Sequence, residues 1–331
     1  MMRQAVSDVA WEPGRLAGNA FLEQARDFFQ AASRAHTAAA KPLLLYYAFL
    51  NLAKALVLTR RPGAHLEHAH HGLREKLDSG KTELVAAYLE AQPSGARPSV
   101  FDMLLTELSG SGLRAVSRLD VLGLLRQIVT GHRVLGVADR NCGERFVGLG
   151  SIHLLHDPKT SEMWTVLGIS RGDLARLRLS QTELLRRTRL AVDWRVVAGL
   201  ASMPSGAIWL EQDTPFKYNQ GWIAEAIPRL IAAVRPVLWR TVLSTPPYHR
   251  YYLYAAPPSD QAMVLPQMAS AYALLFYFGS ITRYRPHHFD RILLGKFGAF
   301  VEILLNEQPS QLLFQFASEF IRRDVVKPAI V

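Results

Sequence analysis

Arg283 and His288 stand with four residues between them. An arginine can steady an anion and a histidine can move a proton, so the pair raises catalysis. Along an unbroken helix five steps rotate a side chain by about 140°, so the two groups converge only if Pro286, which lies between them, breaks the helix. If they act together, Arg283 and His288 are the candidate catalytic residues. The competing reading makes Arg283 a cap for the carbonyls at a helix C-terminus. The same spacing recurs from Arg60 to His65.

The densest positive region runs from Arg171 to Arg195, where Arg171, Arg176, Arg178, Arg186, Arg187, Arg189 and Arg195 face only Asp173, Glu183 and Asp193. Ser170 with Asp173, and Ser180 with Glu183, read as successive helix caps. Two short helices would then present guanidinium groups to phosphate, which makes Arg171, Arg176, Arg178, Arg186, Arg187 and Arg189 candidate nucleic-acid-binding residues. Leu179 to Leu190 resembles one helix of a helix-turn-helix, without a clear recognition helix beside it. The patch is equally suited to an acidic protein. Tyr248, Tyr251, Tyr252 and Tyr254, with His249 and Arg250 among them, could stack bases, or could pack one strand face on helices while the other is wet.

His65, His68, His70 and His71 raise metal binding, but their spacing fits no ligand signature and no partner cysteines stand nearby, so no metal site is expected. Loop solvation or capping is the alternative. Lys54, one charge on an otherwise apolar helix, is either a snorkelling surface lysine or a buried anion contact, with Asn51 one turn before it. Lys54 and His71 are the candidate anion site. No phosphate loop, dinucleotide fingerprint, nucleophile elbow or zinc-protease helix appears, and no cofactor is expected.

These residues need elements to hold them. The chain has 331 residues, of which 49% are hydrophobic, enough for a self-sufficient core. The single cysteine, Cys142, excludes an internal disulfide and any multi-cysteine metal site, which suits a reducing compartment. Trp11, Glu12, Pro13 and Gly14 interrupt the stretch where a signal peptide would need an apolar run, so the expected location is the cytoplasm. Lys and Arg total 38 against 28 for Asp and Glu, and this formal charge of +10 favours polyanions or a solvated basic surface.

Helical spacing appears from Leu16 to Thr37 and from Pro42 to Leu58, and another helix is expected over Leu84 to Glu90. Ser117 with Asp120 resembles a capping box opening a helix through Leu119, Leu122, Leu125 and Ile128. From Arg145 the period shortens. Phe146 to Leu155 and Met163 to Ile169 read as a hairpin, followed by strands at Trp194 to Leu200, Ala207 to Leu210 and Val242 to Tyr254. Helices return at Gln267 to Arg283, Pro286 to Leu305 and Gln311 to Arg323. The run Met268 to Ile281, shorter than the ~20 residues a membrane span requires, reads as a buried core helix.

Lys41-Pro42-Leu43-Leu44-Leu45-Tyr46-Tyr47 leads into Asn51-Leu52-Ala53-Lys54-Ala55 and then His71-Gly72-Leu73. Leu265-Pro266, an apolar helix and Arg283-Tyr284-Arg285-Pro286, with Phe289 after them, form the second half of the same pattern. On these residues the chain resembles the YaaC-like family of bacterial proteins, from about Phe21 to about Phe320. The resemblance implies a mainly helical bacterial cytoplasmic protein and carries no catalytic residues with it. Phe289 stands where the family pattern has Trp. A second resemblance, carried by the Arg283 and His288 spacing alone, is to the HEPN superfamily of helical ribonucleases; it implies that an enzyme here would be a metal-independent ribonuclease, with Arg283 steadying a phosphate and His288 as general acid or base while RNA is cut through its own 2′-hydroxyl.

The expected fold class is α+β, mainly α: a helical bundle from N-terminal and C-terminal helices, with a small antiparallel sheet from the middle of the chain. Residues 1–331 are expected as a single interdependent domain, with 1–140 helical, 141–256 a small sheet plus short basic helices, and 257–331 helical and packing on the first part. The expected function is a nucleic-acid-associated accessory or effector protein of a bacterium, with RNA the likelier ligand than DNA, in defence against foreign genetic elements. The alternative is a non-enzymatic assembly subunit that binds an acidic protein partner. Membership of a complex or a homo-oligomer is expected, and no membrane association.

Overall fold

The computed structural model describes all residues except 1, 36–38, 79–83, 139–142, 189, 191–192, 198–205, 220–221, 247, 258–262 and 326–331. The chain forms two compact units, one from Met1–Cys142 with Leu265–Val331 and one from Gly143–Val264. The expected architecture is present: N-terminal and C-terminal helices share one body, and the middle of the chain supplies an antiparallel sheet. Cys142 lies outside the described residues.

In the first unit, α1 (Met2–Arg34) and α2 (Lys41–Arg60) lie side by side. Pro42 opens α2, where its missing N–H costs no helical hydrogen bond. Composition alone makes α2 long and apolar enough to cross a membrane, yet 72% of its apolar window is buried inside the protein, as in a core helix. It packs on α9 (Gln267–Tyr284), whose residues from Gln267 to Gly279 are all buried. The two backbones approach closely at Gly279, where an added Cβ would stand 3.0 Å from Tyr46 Cβ and 3.3 Å from the Pro42 carbonyl oxygen. Phe289, on α10 (Pro286–Leu294), is buried edge-on against Phe278 with ring centroids 6.3 Å apart.

One expected helix of this unit is a strand, and another begins as one. Leu84–Ala86 is a single tight turn leading into β2 (Ala87–Ala91), and Ser117–Asp120 is β3. With β1 (Leu73–Leu77) they make a three-stranded antiparallel sheet in the order β1-β2-β3. Helix-favouring residues such as Ala87, Leu89 and Ala91 are overridden because alternate side chains point into the core while the backbone finds partners on both sides. Asp120 then precedes α4 (Val121–Arg126), so the helix starts three residues later than the serine suggested. α3 (Val100–Ser109) and α5 (Val129–Ala138) complete the N-terminal part. The expected helix Pro286 to Leu305 is broken after Leu294, and α11 (Gly298–Ile321) runs on through Pro309 to absorb the last expected segment.

The second unit is a seven-stranded antiparallel sheet in the order β6-β7-β5-β4-β10-β9, with β8 pairing β5. Its strands are β4 (Phe146–Asp157), β5 (Glu162–Ser170), β6 (Trp194–Val197), β7 (Ala207–Gln212), β8 (Phe216–Lys217), β9 (Val242–Thr245) and β10 (Tyr248–Tyr254). The expected hairpin of β4 and β5 is present, and the single expected strand over 242–254 is a β9–β10 pair. The short helices α6 (Arg171–Leu177) and α7 (Gln181–Arg187) follow β5. Helix α8 (Ile223–Thr241), which contains Pro228 and Pro236, was not expected. Ala226, Leu230 and Val234, four residues apart, bury one stripe of it with Met163, and that burial offsets the helix-breaking tendency of proline.

A buried ion pair locks the first unit. Arg60 pairs with Glu319 of α11, and its guanidinium also donates to the Glu107 carbonyl at 2.7 Å and to the Glu319 carbonyl at 3.1 Å. The two side chains are 9% and 3% exposed. Glu319→Ala strands the guanidinium in the interior and is expected to destabilise the protein by about 3–5 kcal/mol in urea denaturation. A loss below about 1 kcal/mol would show that the pair is dispensable.

Candidate anion-binding site

Position 71 is built from the backbone outward. Gly72 adopts a φ of +80°, and a Cβ there would stand 1.9 Å from Ser99 Oγ, so only glycine fits. Ser99 caps α3, its hydroxyl accepting from the Asp102 N–H at 3.2 Å. The next amides of that helix end are met by the preceding loop: Val100 N–H donates to the His70 carbonyl at 2.9 Å and Phe101 N–H to the His71 carbonyl at 3.3 Å. His71 therefore sits on the N-terminus of a buried helix.

The His71 imidazole meets α2. Its Nδ1 lies 2.5 Å from the Tyr46 hydroxyl, and its ring packs near those of Tyr46 and Phe276, with centroids 5.5 and 6.0 Å away. One residue along, the Tyr47 hydroxyl accepts from Arg283 Nη1 at 2.8 Å. The Tyr46 and Tyr47 rings are 5.5 Å apart, so adjacent tyrosines of one helix hold the histidine and the arginine. Lys54 stands two turns further along the face that carries Tyr47. There α1 lines α2 rung by rung: Phe28 stacks on Tyr47 at 5.5 Å, Gln24 accepts from Asn51 at 3.3 Å, and the Lys54 ammonium lies 5.0 Å from the Phe21 ring centre.

The electrostatics of this group are unfavourable to its own cations. Burial, and then the positive charges of Lys54, His70 and Arg283, hold the His71 imidazole below the usual histidine range. Burial lowers the Lys54 ammonium. Tyr46 is pushed far above the ordinary phenol range, mainly by burial, so it stays a neutral hydroxyl. A neutral phenol can donate to Nδ1 or accept from Nδ1–H, according to the His71 tautomer. Among the described residues no carboxylate pairs with Lys54, His71 or Arg283. Their neighbours are neutralised: Arg60 by Glu319, Arg61 by Glu107, and Arg285 by Glu75.

His71 and Arg283 are thus held by adjacent tyrosines, while Lys54, the other member of the expected anion pair, stands two turns further along α2 against Phe21. His288 is not with them. It is wholly buried on α10, while Arg283 is exposed near the end of α9, and the chain breaks between the two helices at Arg285. The proline does break the helix, as the pairing requires, but the break leaves the imidazole inside the packing. A phosphate held by Arg283 has no path to it, so this placement does not support Arg283 and His288 as a ribonuclease pair. The other early histidines scatter: His65 and His68 are exposed, and His70 Nδ1 accepts from the Gly72 N–H at 3.1 Å. Among the described residues no three His, Cys, Asp or Glu side chains gather as a metal site.

The basic segment of the second unit forms the two expected helices. The Ser180 hydroxyl accepts from the Glu183 N–H at 3.1 Å, whereas Ser170 makes no such bond. Arg171, Arg176, Arg178 and Arg186 are exposed and Arg187 is half-buried, while Arg189 lies outside the described residues. Arg187 pairs with Glu183, Arg176 lies 3.5 Å from Asp173, and Arg195 lies 2.7 Å from Glu211. Arg171, Arg178 and Arg186 carry no carboxylate partner among the described residues. On β10, Tyr248 is 63% exposed, Tyr254 is buried, and Tyr251 packs on the core of the sheet.

What the geometry defines is a mainly helical α+β protein in which adjacent tyrosines hold His71 and Arg283 on one unit, and Arg171, Arg178 and Arg186 carry no carboxylate partner among the described residues on the other. The chain belongs to the YaaC-like Protein family, whose model matches residues 15–320. No curated protein and no solved structure matches it. Tyr46, Tyr47, Lys54, His71 and Arg283 all fall within the matched stretch. The role of the two tyrosines was missed from sequence, and their adjacency on a helix that also carries Lys54 was the available signal.

Burial opposes the charged forms of Lys54 and His71, and two outcomes follow. Lys54→Met is expected to raise the urea midpoint, by about 1 kcal/mol of stability. Unfolded histidine protonates near pH 6.5 and folded His71 only at lower pH, so in that window the unfolded state binds more protons and stability falls as pH drops. His71→Gln should make the fall shallower in a pH series of denaturation curves. An unchanged slope would detach His71 from the acid sensitivity.

Proposed function

We propose that this protein is a nucleic-acid-associated accessory or effector protein of the bacterial cytoplasm, with RNA as its ligand. The observation that supports it is the segment of α6 and α7, where Arg171, Arg178 and Arg186 are exposed without internal carboxylate partners among the described residues. Guanidinium groups left to solvent in this way suit phosphate, which accepts their forked hydrogen bonds and releases counterions on contact. Single-stranded RNA is favoured over a duplex because Tyr248 and Arg250 stand exposed on β10 of the same unit. An exposed aromatic ring beside a cation stacks an unpaired base, and a duplex keeps its bases stacked internally.

One feature favours a second reading. α6 and α7 are seven residues each and are joined by a three-residue turn in which Arg178 is left-handed, with φ of 54°. Two helices joined by so short a turn are the frame of a helix-turn-helix, whose ligand is duplex DNA.

The test is a salt titration of single-stranded RNA and duplex DNA binding. For RNA the logarithm of affinity should fall with the logarithm of salt, and Arg171→Ala/Arg178→Ala/Arg186→Ala should make the slope shallower by about 0.7 for each phosphate that is no longer neutralised. Preference for duplex DNA would select the helix-turn-helix reading. Salt-independent affinity, or equal binding by the triple variant, would remove nucleic acid and leave the assembly subunit that docks an acidic protein.

A further inference from the structure

We propose that residues 153–157 of β4 form a sheet edge to which a second copy of this chain adds its own β4, antiparallel and about a two-fold axis at Leu155. The inference concerns the second unit alone and goes beyond the nucleic-acid reading above.

The register leaves this edge open. β5 pairs with β4 from Leu149 to Asp157, whereas β10 pairs with it only from Phe146 to Leu149 among the described residues. Counting back from Tyr251 opposite Leu149, Tyr248, the first residue of β10, reaches no further than Ile152. From His153 on, β4 outruns its neighbour. Every second residue of an antiparallel strand turns its N–H and C=O away from the partner strand. Among the described residues no loop or turn backbone bonds to positions 153–157.

The other terminal strands are guarded. β1 carries Arg74, Glu75 and Lys76, β3 carries Arg118 and Asp120, and β6 carries Arg195. β8 and β9 are two and four residues long. Charge and shortness are the means by which a sheet edge turns another strand away. From Gly150 to His156 β4 has no Lys, Arg, Asp, Glu or Pro, and Ile152 and Leu154 are 40% and 38% exposed. An edge of this kind is a template for a further strand.

The residues of the edge match a copy of themselves. With the axis at Leu155, that side chain meets its own counterpart, and on the same face His153 meets Asp157 of the second copy. On the opposite face Leu154 meets His156. The two ends of the ladder are therefore symmetric carboxylate–imidazole pairs, and no like charges stand opposite each other. Asp157 Oδ1 accepts from the Lys159 N–H at 2.8 Å, which leaves Oδ2 for the imidazole. The His153 ring is steadied by Trp209, with centroids 5.7 Å apart. An axis nearer Gly150 brings the added strand alongside Tyr248 of β10, and an axis nearer Pro158 loses the match of His153 with Asp157. A pairing this short is small beside the ~1,200 Å² of a standard stable interface, so the dimer is weak and forms as concentration rises.

The experiment is sedimentation equilibrium of the full chain over a range of concentration. Wild type is expected to pass from monomer to dimer as it approaches about 0.1 mM. His153→Glu opposes two carboxylates at each end of the ladder, and Asp157→Lys sets an ammonium against His153. Each variant is expected to dimerise at least about tenfold more weakly, since opposed like charges suppress a pairing. An equal mixture of the two is expected to associate again, because the introduced carboxylate meets the introduced ammonium while the other end keeps its native pair. That recovery also shows that both variants fold. The variant lacking Arg171, Arg178 and Arg186 should dimerise as wild type does, which separates this edge from the nucleic-acid proposal. Wild type that stays monomeric at about 0.1 mM overturns the proposal and leaves the edge to a strand of a different protein. Single variants that dimerise as wild type does, or a mixture that fails to associate, overturn it as well.

Discussion

The close approach of α2 and α9 is the constraint on which the first unit depends. Gly279 leaves room for Tyr46 to lie against the neighbouring backbone, and the Tyr46 ring then meets Tyr272 at 6.0 Å and Phe276 at 5.3 Å, both edge-on. Burial of these rings supplies much of the local stability, because large aromatic side chains remove the most apolar area from water. It also fixes where the tyrosine hydroxyls end. Tyr46 ends at His71 and Tyr47 at Arg283, so a packing decision between two apolar helices becomes the placement of two polar groups.

The same constraint sorts the charges. Residues that tie elements together are paired: Arg60 joins α2 to α11, and Arg285 joins the end of α9 to β1. A buried guanidinium without such a partner carries a large desolvation cost, so these pairs are structural necessities. Lys54 is half-buried and Arg283 is exposed, so water solvates both charges enough for the fold to tolerate them without carboxylates.

Much of the architecture was legible in the chain. Long apolar periodicity marked α2, α9 and the C-terminal helices, β-branched and aromatic runs marked β4 and β5, and Ser180 with Glu183 marked α7. The three-stranded sheet was not legible, because Ala87 to Ala91 and Ser117 to Asp120 have no strand composition and become strands only through each other. α8 was hidden by Pro228 and Pro236, whose local penalty is overcome by a buried stripe that exists only once Met163 lies opposite.

The site followed the same division. Residue types and spacing nominated Lys54, His71, Arg283 and the central arginines, since charge on an apolar helix and clustered guanidinium groups are visible without coordinates. They also nominated His288, because linear spacing says nothing about burial. Convergence was decided by tertiary packing. Positions 71 and 283 are far apart along the chain, and no local rule relates them; only the crossing of two helices and a glycine turn beside α3 set them at adjacent tyrosines. Sequence alone determined which groups were present and what charge they carried, whereas the long-range burial of apolar faces determined which of those charges stayed unpaired.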